Sequence, residues 1–256
     1  MLSPQKYMGK WQIMPLAIAD QQRHINLSER LLTTAEPGQP AILYWSQAER
    51  EGLVLGYSQR HAILNSAALA AHQIPIYYRR AGGTAVLVGP QLLSLDVVLP
   101  ANHPLILADV VESYRWFGQA WVEALLLLGV QARVVSPEEA HEQHTRLKQG
   151  GTQVPEAILH RACYGSLSSY EVVVGQRKVV GFDMIRRRVG SLLQAGVLLG
   201  WQVETLAQLL GQTPDEQALL REGLYQRAVG LDSLTGRVVQ AQEVMAAFER
   251  VIFAME

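Results

Sequence analysis

Between residues 157 and 199 the chain falls into four strand-like stretches in close succession, at 157–163, 170–174, 178–185 and 192–199. The two middle stretches are joined by a tight turn with glycine first, Gly175-Gln176, the signature of a two-residue hairpin. Parallel neighbours need a long crossover, so stretches this close pair antiparallel. Helix-like segments lie before and after this run. At 109–128 the apolar residues Val110, Val111, Tyr114, Phe117, Trp121 and Leu125 recur near one face. Residues 201–210, 214–229 and 240–253 close the chain as helices. The arrangement predicts an α+β fold: a mixed, largely antiparallel sheet packed with helices, not a doubly wound parallel one.

The front half is read in the same way. Apolar spacing predicts a helix over 26–32, capped by Asn26 or Ser28. Residues 41–45 and 53–57 read as two strands joined across the polar turn 47–52, and Asn65 opens an alanine-rich helix through Gln73. A short strand, 75–78, runs into Arg79-Arg80-Ala81-Gly82-Gly83-Thr84. A hairpin is expected from 85–88 and 92–99 around Gly89-Pro90, and residues 132–135 read as a strand. Ser136-Pro137-Glu138-Glu139 carries the cap, first-turn proline and acidic start of another helix. The polar, glycine-ended 142–152 is expected to be a mobile loop.

With 256 residues, 49% of them hydrophobic, the sequence can bury a large core, and no linker divides it. One domain over 1–256 is expected, with its core at about 11–199 and a helical part at about 200–256. A net charge of -1 gives no electrostatic ground for nucleic acid or an anionic membrane. The most apolar run, 120–130, is too short to span a bilayer and contains Glu123, and residues 1–12 lack a secretory apolar stretch. The single cysteine, Cys163, excludes an internal disulfide and a cysteine-rich metal site, so no metal is expected. A cytoplasmic protein follows as the expectation.

Three segments have residue types suited to chemistry. Gly82 and Gly83 after a strand allow close backbone approach to a ligand, and Arg79 and Arg80 suit phosphate or carboxylate; a hairpin turn with a solvated basic edge would have the same composition. Cys163 becomes a nucleophile where something favours its thiolate, and Lys178 lies one strand further on; a lone cysteine is equally a small buried hydrophobe. His160, three residues earlier in the expected strand, falls on the opposite face, so no Cys–His pair is expected. Arg186-Arg187-Arg188 reads as a solvated turn, or as a docking edge for an acidic partner or phosphate.

The order of these segments resembles that of the lipoate–protein ligase and octanoyltransferase family. Arg79-Arg80-Ala81-Gly82-Gly83-Thr84-Ala85-Val86, running to Leu93-Ser94 and Pro100, resembles its Arg-Arg-x-Gly-Gly-Gly loop. Cys163-Tyr164, then Tyr170-Glu171 and Gly175-Gln176-Arg177-Lys178-Val179-Val180-Gly181, is similar to its Cys-Phe…Tyr-(Asp/Glu)…Gly-x-Lys-x-x-Gly segment. Leu193-Gln194-Ala195-Gly196 resembles its Gln-His-Gly strand, and Leu55-Gly56-Tyr57-Ser58-Gln59 its Leu-Gly-x-x-Gln strand. Asn26…Glu29…Leu31-Leu32 resembles its first helix. The biotin ligase signature, Gly-Arg-Gly-Arg-x-Gly-Arg, is absent, although the resemblance implies the sheet fold shared with those enzymes.

The resemblance implies an acyltransferase. Catalysis would fall to Cys163 and Lys178, and acyl or substrate binding to Arg79, Arg80, Gly82, Gly83, Thr84, Val86 and Gly181. It implies an octanoyl or lipoyl group passed from acyl carrier protein to a lysine of a 2-oxoacid dehydrogenase lipoyl domain or of the glycine-cleavage H protein, through a cysteine thioester and without a cofactor. Cys163 stands seven residues before Tyr170, the spacing associated with cysteine-dependent octanoyltransferases. An ATP- and magnesium-dependent lipoate ligase is the alternative, and an inactive acyl-binding homologue a further one. Thr84 replaces the usual third glycine, Val88-Gly89-Pro90 lacks the ligases' polar pair, Ala195 replaces histidine, and Phe182-Asp183-Met184 replaces Ser-Ala-Gln. The last change is expected to put a carboxylate and two bulky apolar groups beside the acyl carbonyl.

Overall fold

The computed structural model describes residues 11–59, 63–149 and 154–255. Residues 1–10, read above for a leader, and 150–152 of the expected loop lie outside the described residues. Ten strands are described: β1 (Trp11–Ala19), β2 (Ala41–Ala48), β3 (Gly52–Leu55), β4 (Ile76–Tyr78), β5 (Val86–Val88), β6 (Leu92–Pro100), β7 (Arg133–Val134), β8 (Val172–Val174), β9 (Arg177–Arg187) and β10 (Gly190–Leu198). The helices are α1 (Gln21–Thr33), α2 (Ser66–His72), α3 (Arg115–Leu127), α4 (Pro137–Gln149), α5 (Val154–Leu159), α6 (Val203–Leu210), α7 (Pro214–Arg227), α8 (Leu231–Thr235) and α9 (Ala241–Ala254).

Seven strands form one mixed sheet in the order β1-β2-β6-β10-β9-β8-β7, and β4-β3-β5 form a small second sheet. Only β1 with β2 runs parallel in the large sheet, so the α+β expectation holds. Alternate residues of the central strands meet different partners. Leu93, Leu95, Val97 and Leu99 of β6 face a core shared with α3 and α9, where Trp45, Phe117, Trp121 and Phe248 are fully buried. Trp45 meets Trp121 and Phe248 edge-on at 87°, a geometry that suits the charge distribution of aromatic rings. On the opposite face Val98 and Leu192 pack under Leu32 of α1. The small sheet packs with α2, α5, α6 and α7 around Leu53, Leu55, Leu206 and Leu220.

Several elements differ from expectation for local reasons. α1 starts at Gln21 because the Asp20 carboxylate accepts from Gln22 N at 2.9 Å; neither Asn26 nor Ser28 is the cap. β2 and β3 do not pair with each other, and neither do β5 and β6: in each case the chain leaves one sheet for the other at the turn. The helix expected over 109–128 begins as an α-helix only at Arg115. Asp109 accepts from Val111 N and Glu112 N and holds the preceding turn as a 3-10 helix, leaving Val110 and Val111 exposed. Most of the expected mobile loop is the second half of α4, after the Ser136 cap bonds Glu139 N. The expected strand 157–163 is instead the end of α5 and a 3-10 turn, Cys163–Gly165. Its one strand-like feature is a parallel bridge between Ala162 and Ala85, with Cys163 N donating to Ala85 O at 2.9 Å. Arg186 is not a solvated turn residue: it donates to Ser113 Oγ at 2.8 Å, and the turn is left to the exposed Arg188 and Val189.

Candidate functional site

The glycine loop is fixed from two sides. A Cβ on Gly56 would lie 2.1 Å from Gly83 O, so only glycine there lets the loop seat against β3. Gly83 has φ +84, a left-handed conformation open to glycine. Arg79 ties the loop from within: Nε and Nη2 donate to Gly82 O at 3.1 and 2.9 Å, and Nη2 to Thr84 O at 3.2 Å. The same guanidinium pairs with Asp183 at 3.0 Å. Arg80 points elsewhere, pairing with Glu29 over an outer groove lined by Tyr57 and Tyr78. The two arginines, adjacent in sequence, therefore have separate places.

Beyond the loop lie two connected spaces. A polar cleft of about 430 Å³ is lined by Gly82, Gly83, Thr84, Ser168, Glu171 and Lys178, with His160 at its wall. A narrower pocket of about 110 Å³ runs over the large sheet beneath α1, with Val54, Val86, Val88, Leu92, Gly181 and Gly196 among its walls. Arg79, Cys163, Phe182 and Asp183 line both, so the thiol residue stands where the two spaces meet. Gly82 and Gly83 border the polar cleft and not the apolar pocket, where Val86 and Gly181 are found. Because 157–163 is not a strand, the opposite-faces argument for His160 fails, and His160 and Cys163 border the same cleft.

Lys178 is 1% exposed, as is Glu171. It is therefore not a strand lysine with a solvated head. A register shift between Val172 and Val173 pairs Val172 with Val180 but Val173 with Lys178, a bulge that re-aims the side chains beside it. Lys178 Nζ donates to Glu171 Oε1 at 2.8 Å and to the backbone carbonyl of Cys163 at 2.9 Å. Glu171 is further held by Ser168 N at 2.7 Å and Phe182 N at 3.2 Å. A buried ammonium needs such a partner, because leaving either charge alone in a dry site is costly. Glu171 is quoted in the motif above without a role, and the structure gives it one. Lys178 also lies over the Tyr164 ring at 5.4 Å, and Tyr164 donates to Gly196 O at 2.7 Å; burial pushes the Tyr164 hydroxyl well above its ordinary pKa.

Of the 182–184 change, Phe182 and Asp183 reach the site and Met184 does not. The Phe182 ring stacks on Tyr114 and packs at 4.8 Å from Phe117, and Met184 packs against the main core. Asp183 borders the pocket, and burial pushes its carboxyl above the ordinary value, against the opposing charge of Arg79. His24, Ser28, Asp96 and Gln194, none of them given a site role from the sequence, also line the pocket. His24 is held by Tyr44 Oη at 2.6 Å and Gln47 O at 2.9 Å. Asp96 is hydrogen-bonded to Ser28 and, at 2.9 Å, to Gln194, and burial pushes its carboxyl up to about 6. Among the described residues no cluster of His, Cys, Asp and Glu could hold a metal, and no helix is long and apolar enough to cross a membrane.

Comparison with known proteins identifies the family and the fold. The lipoyl protein ligase A/B catalytic domain matches residues 20–253. An octanoyltransferase LipM from Kyrpidia tusciae is 34% identical over 198 residues, 76% of this chain and 68% of its own length. One from an Exiguobacterium species is 26% identical over 242 residues, 93% of this chain and 84% of its own. Among solved structures, a putative lipoate protein ligase from Thermoplasma acidophilum with bound lipoic acid superposes with TM-score 0.71 at 17% identity, covering 97% of this chain and 85% of that one. A lipoate-protein ligase A bound with ATP gives TM-score 0.70 at 17% identity, covering 96% and 85%. This chain belongs to the lipoyl protein ligase A/B catalytic-domain family.

Proposed function

We propose that the chain transfers an octanoyl or lipoyl group from an acyl carrier protein thioester to a lysine of a lipoyl domain or glycine-cleavage H protein, through a thioester on Cys163. Membership of a catalytic-domain family and likeness to octanoyltransferases make it an octanoyl- or lipoyl-transferring enzyme. The observation that carries the finer reading is the position of Cys163, at the junction of an apolar pocket and a polar cleft. A thioester whose acyl chain enters the pocket brings its carbonyl to that junction.

In the first half-reaction the Cys163 thiolate attacks the carbonyl carbon, the carrier's sulfur leaves as a thiolate, and that thiolate takes up a proton. In the second, the target lysine amine attacks the new thioester, Cys163 leaves as a thiolate and the amine loses a proton. The gain lies in replacing one difficult transfer by two easier ones with a good leaving group. Lys178, fixed by Glu171 and by the carbonyl of Cys163, supplies donor character beside the charge that develops at the junction. Arg79 shapes the glycine loop that bounds the cleft. The solved T. acidophilum ligase with its E2 lipoyl domain supports a lipoyl domain as acceptor.

Incubated with octanoyl carrier protein and no acceptor, the protein should gain the mass of one octanoyl group, removable by hydroxylamine. Cys163→Ser should give neither the adduct nor transfer, because a hydroxyl is a much weaker nucleophile near neutral pH. Full transfer by Cys163→Ala would overturn the covalent route. The size and polar lining of the cleft beside the glycine loop favour one second reading, a ligase that adenylates free lipoate with ATP and magnesium. Modification of a lipoyl domain from free acid only when ATP is present would establish that reading. An acyl-binding homologue without activity would do neither.

A further inference from the structure

The floor of the apolar pocket consists of two rows of residues that cross the sheet side by side. In one row Ser46, Ser94, Gly196 and Gly181 stand opposite one another on β2, β6, β10 and β9. None has more than a hydroxymethyl side chain, which leaves room for a chain-shaped ligand. The next row on the same face is Tyr44, Asp96, Gln194 and Asp183, of which the last three line the pocket. Asp183 is at the mouth, and Asp96 lies two strands deeper, roughly 10 Å by strand spacing. The opposite walls, from Ile25, Val54, Val86 and Val88, are apolar.

The polar row has more hydrogen-bond acceptors than donors. The Ser28 hydroxyl has one proton but lies in hydrogen-bond contact with both His24 O, at 2.8 Å, and Asp96 Oδ2. Gln194 Nε2 supplies Asp96 Oδ1 at 2.9 Å, and a carboxylate can accept about four bonds. His24 adds nothing: its Nε2 faces the carbonyl of Gln47 and so bears the proton, and Nδ1 is left to accept from Tyr44. Asp183 Oδ2 is buried, touches Arg79 Nε as an ion pair at 3.0 Å, and has no hydrogen bond of good geometry. An unbranched saturated acyl chain would strip water from this row and return nothing to it.

We infer that this pocket takes, besides a plain octanoyl group and more tightly than it, an acyl group that carries a hydrogen-bond donor near the far end of an otherwise apolar chain, and that Asp96 receives it. The inference rests on the acyl-transfer reading and specifies its substrate class. A hydroxyl in that place forms a charge-assisted bond to Asp96, while its methylenes lie over Gly181, Gly196 and Ser94. Sites built around a substrate hydroxyl discriminate strongly against the analogue that lacks it, because their own polar groups then go unpaired.

The test compares octanoyl-N-acetylcysteamine thioester with isomers hydroxylated on one of the last three carbons, titrated calorimetrically into the Cys163→Ala protein. At least one hydroxyl isomer should bind about ten-fold or more tightly than octanoyl. Asp96→Ser in the same background should erase that preference, read as the ratio of hydroxyl-isomer to octanoyl affinity; if it does not fold, Asp96→Asn, which keeps the shape and loses the charge that strengthens the bond, takes its place and should lower the ratio. Octanoyl binding as tight as every hydroxyl isomer overturns the inference, as does a preference that survives the Asp96 change. Intact-mass acylation of the wild-type protein by the same thioesters separates the two readings. A binding preference without any acylation of Cys163 would sink the transfer reading and leave this one standing. Acylation by octanoyl with no preference would do the reverse.

Discussion

Lys178 and Glu171 form a pair in which neither member is tolerable alone. Removing Lys178 leaves a buried carboxylate held by two backbone amides, a loss that typically costs about 3–5 kcal/mol. Lys178→Met should therefore lower stability by about 3 kcal/mol in urea unfolding, as well as abolishing transfer. Adding Glu171→Gln should restore most of the stability and none of the transfer. A double variant that transfers normally would reduce Lys178 to a structural role. Asp96 gives a pH-dependent expectation. Its carboxyl rises from 3.8 to about 6 on folding, so the folded state holds the proton more tightly and loses stability as pH rises through that interval. The loss amounts to about 3 kcal/mol at neutral pH by the usual conversion. Asp96→Asn keeps the shape of the neutral acid, so it should be the more stable protein above this interval and lose the advantage below it. Equal urea midpoints on both sides would refute the assignment. Cys163 and Lys178 stood out in the sequence as candidates because their order and spacing match a family pattern, and the structure brings both to the border of one cleft. Asp96 was not. In Leu93-Ser94-Leu95-Asp96-Val97-Val98 it reads as a polar interruption of a strand, and only the fold, which lays Ser28 of α1 and Gln194 of β10 beside it, gives it partners.

At the scale of elements, the glycine loop depends on a contact made far from it in the chain. A methyl on Gly56 would run into the backbone of Gly82 and Gly83, which cannot yield as a flexible side chain would. Gly56→Ala should cut transfer by about ten-fold or more while the circular dichroism spectrum stays unchanged, since a misplacement of about 1 Å at a reactive site has effects of that size. Unaltered transfer would mean that the loop position does not matter. Strand positions were largely legible from β-branched and alternating residues, as at Arg177–Arg187 and Gly190–Leu198. Strand partners were less so. Gly89-Pro90 has the composition of a hairpin turn, yet Val86–Val88 pairs with β3 and Leu92–Pro100 with β2 and β10. Turn chemistry constrains the local reversal, and the distribution of buried faces decides which sheet each strand joins. The 157–163 stretch was misread for a related reason: an apolar run of that length suits a short buried helix as well as a strand.

The whole molecule is held by a core that its two ends share. Phe248, in the last helix, is fully buried against Trp45, Phe117 and Trp121, and its neighbour Glu249 accepts from Trp45 Nε1 at 2.9 Å. Phe248→Ala should cost about 3–5 kcal/mol, measured by urea unfolding, and a loss below about 1 kcal/mol would mean that α9 contributes little to the fold. The centre of the large sheet has a further consequence, for the order of events during synthesis. Leu92 pairs with Leu198 and Pro100 with Gly190, while α3, α4, α5, β7, β8 and β9 all lie between them in the chain. A ribosome delivers β6 long before it delivers β10. Until then Leu93, Leu95 and Val97 belong to a strand with one neighbour absent, and the final helix that covers them has not been made. Pairings of such long range are slow to form, and their unfinished edges are open to association with other chains. The nascent protein therefore spends much of its synthesis with the middle of its sheet open, and it is there that a chaperone, or another nascent copy, would first find it.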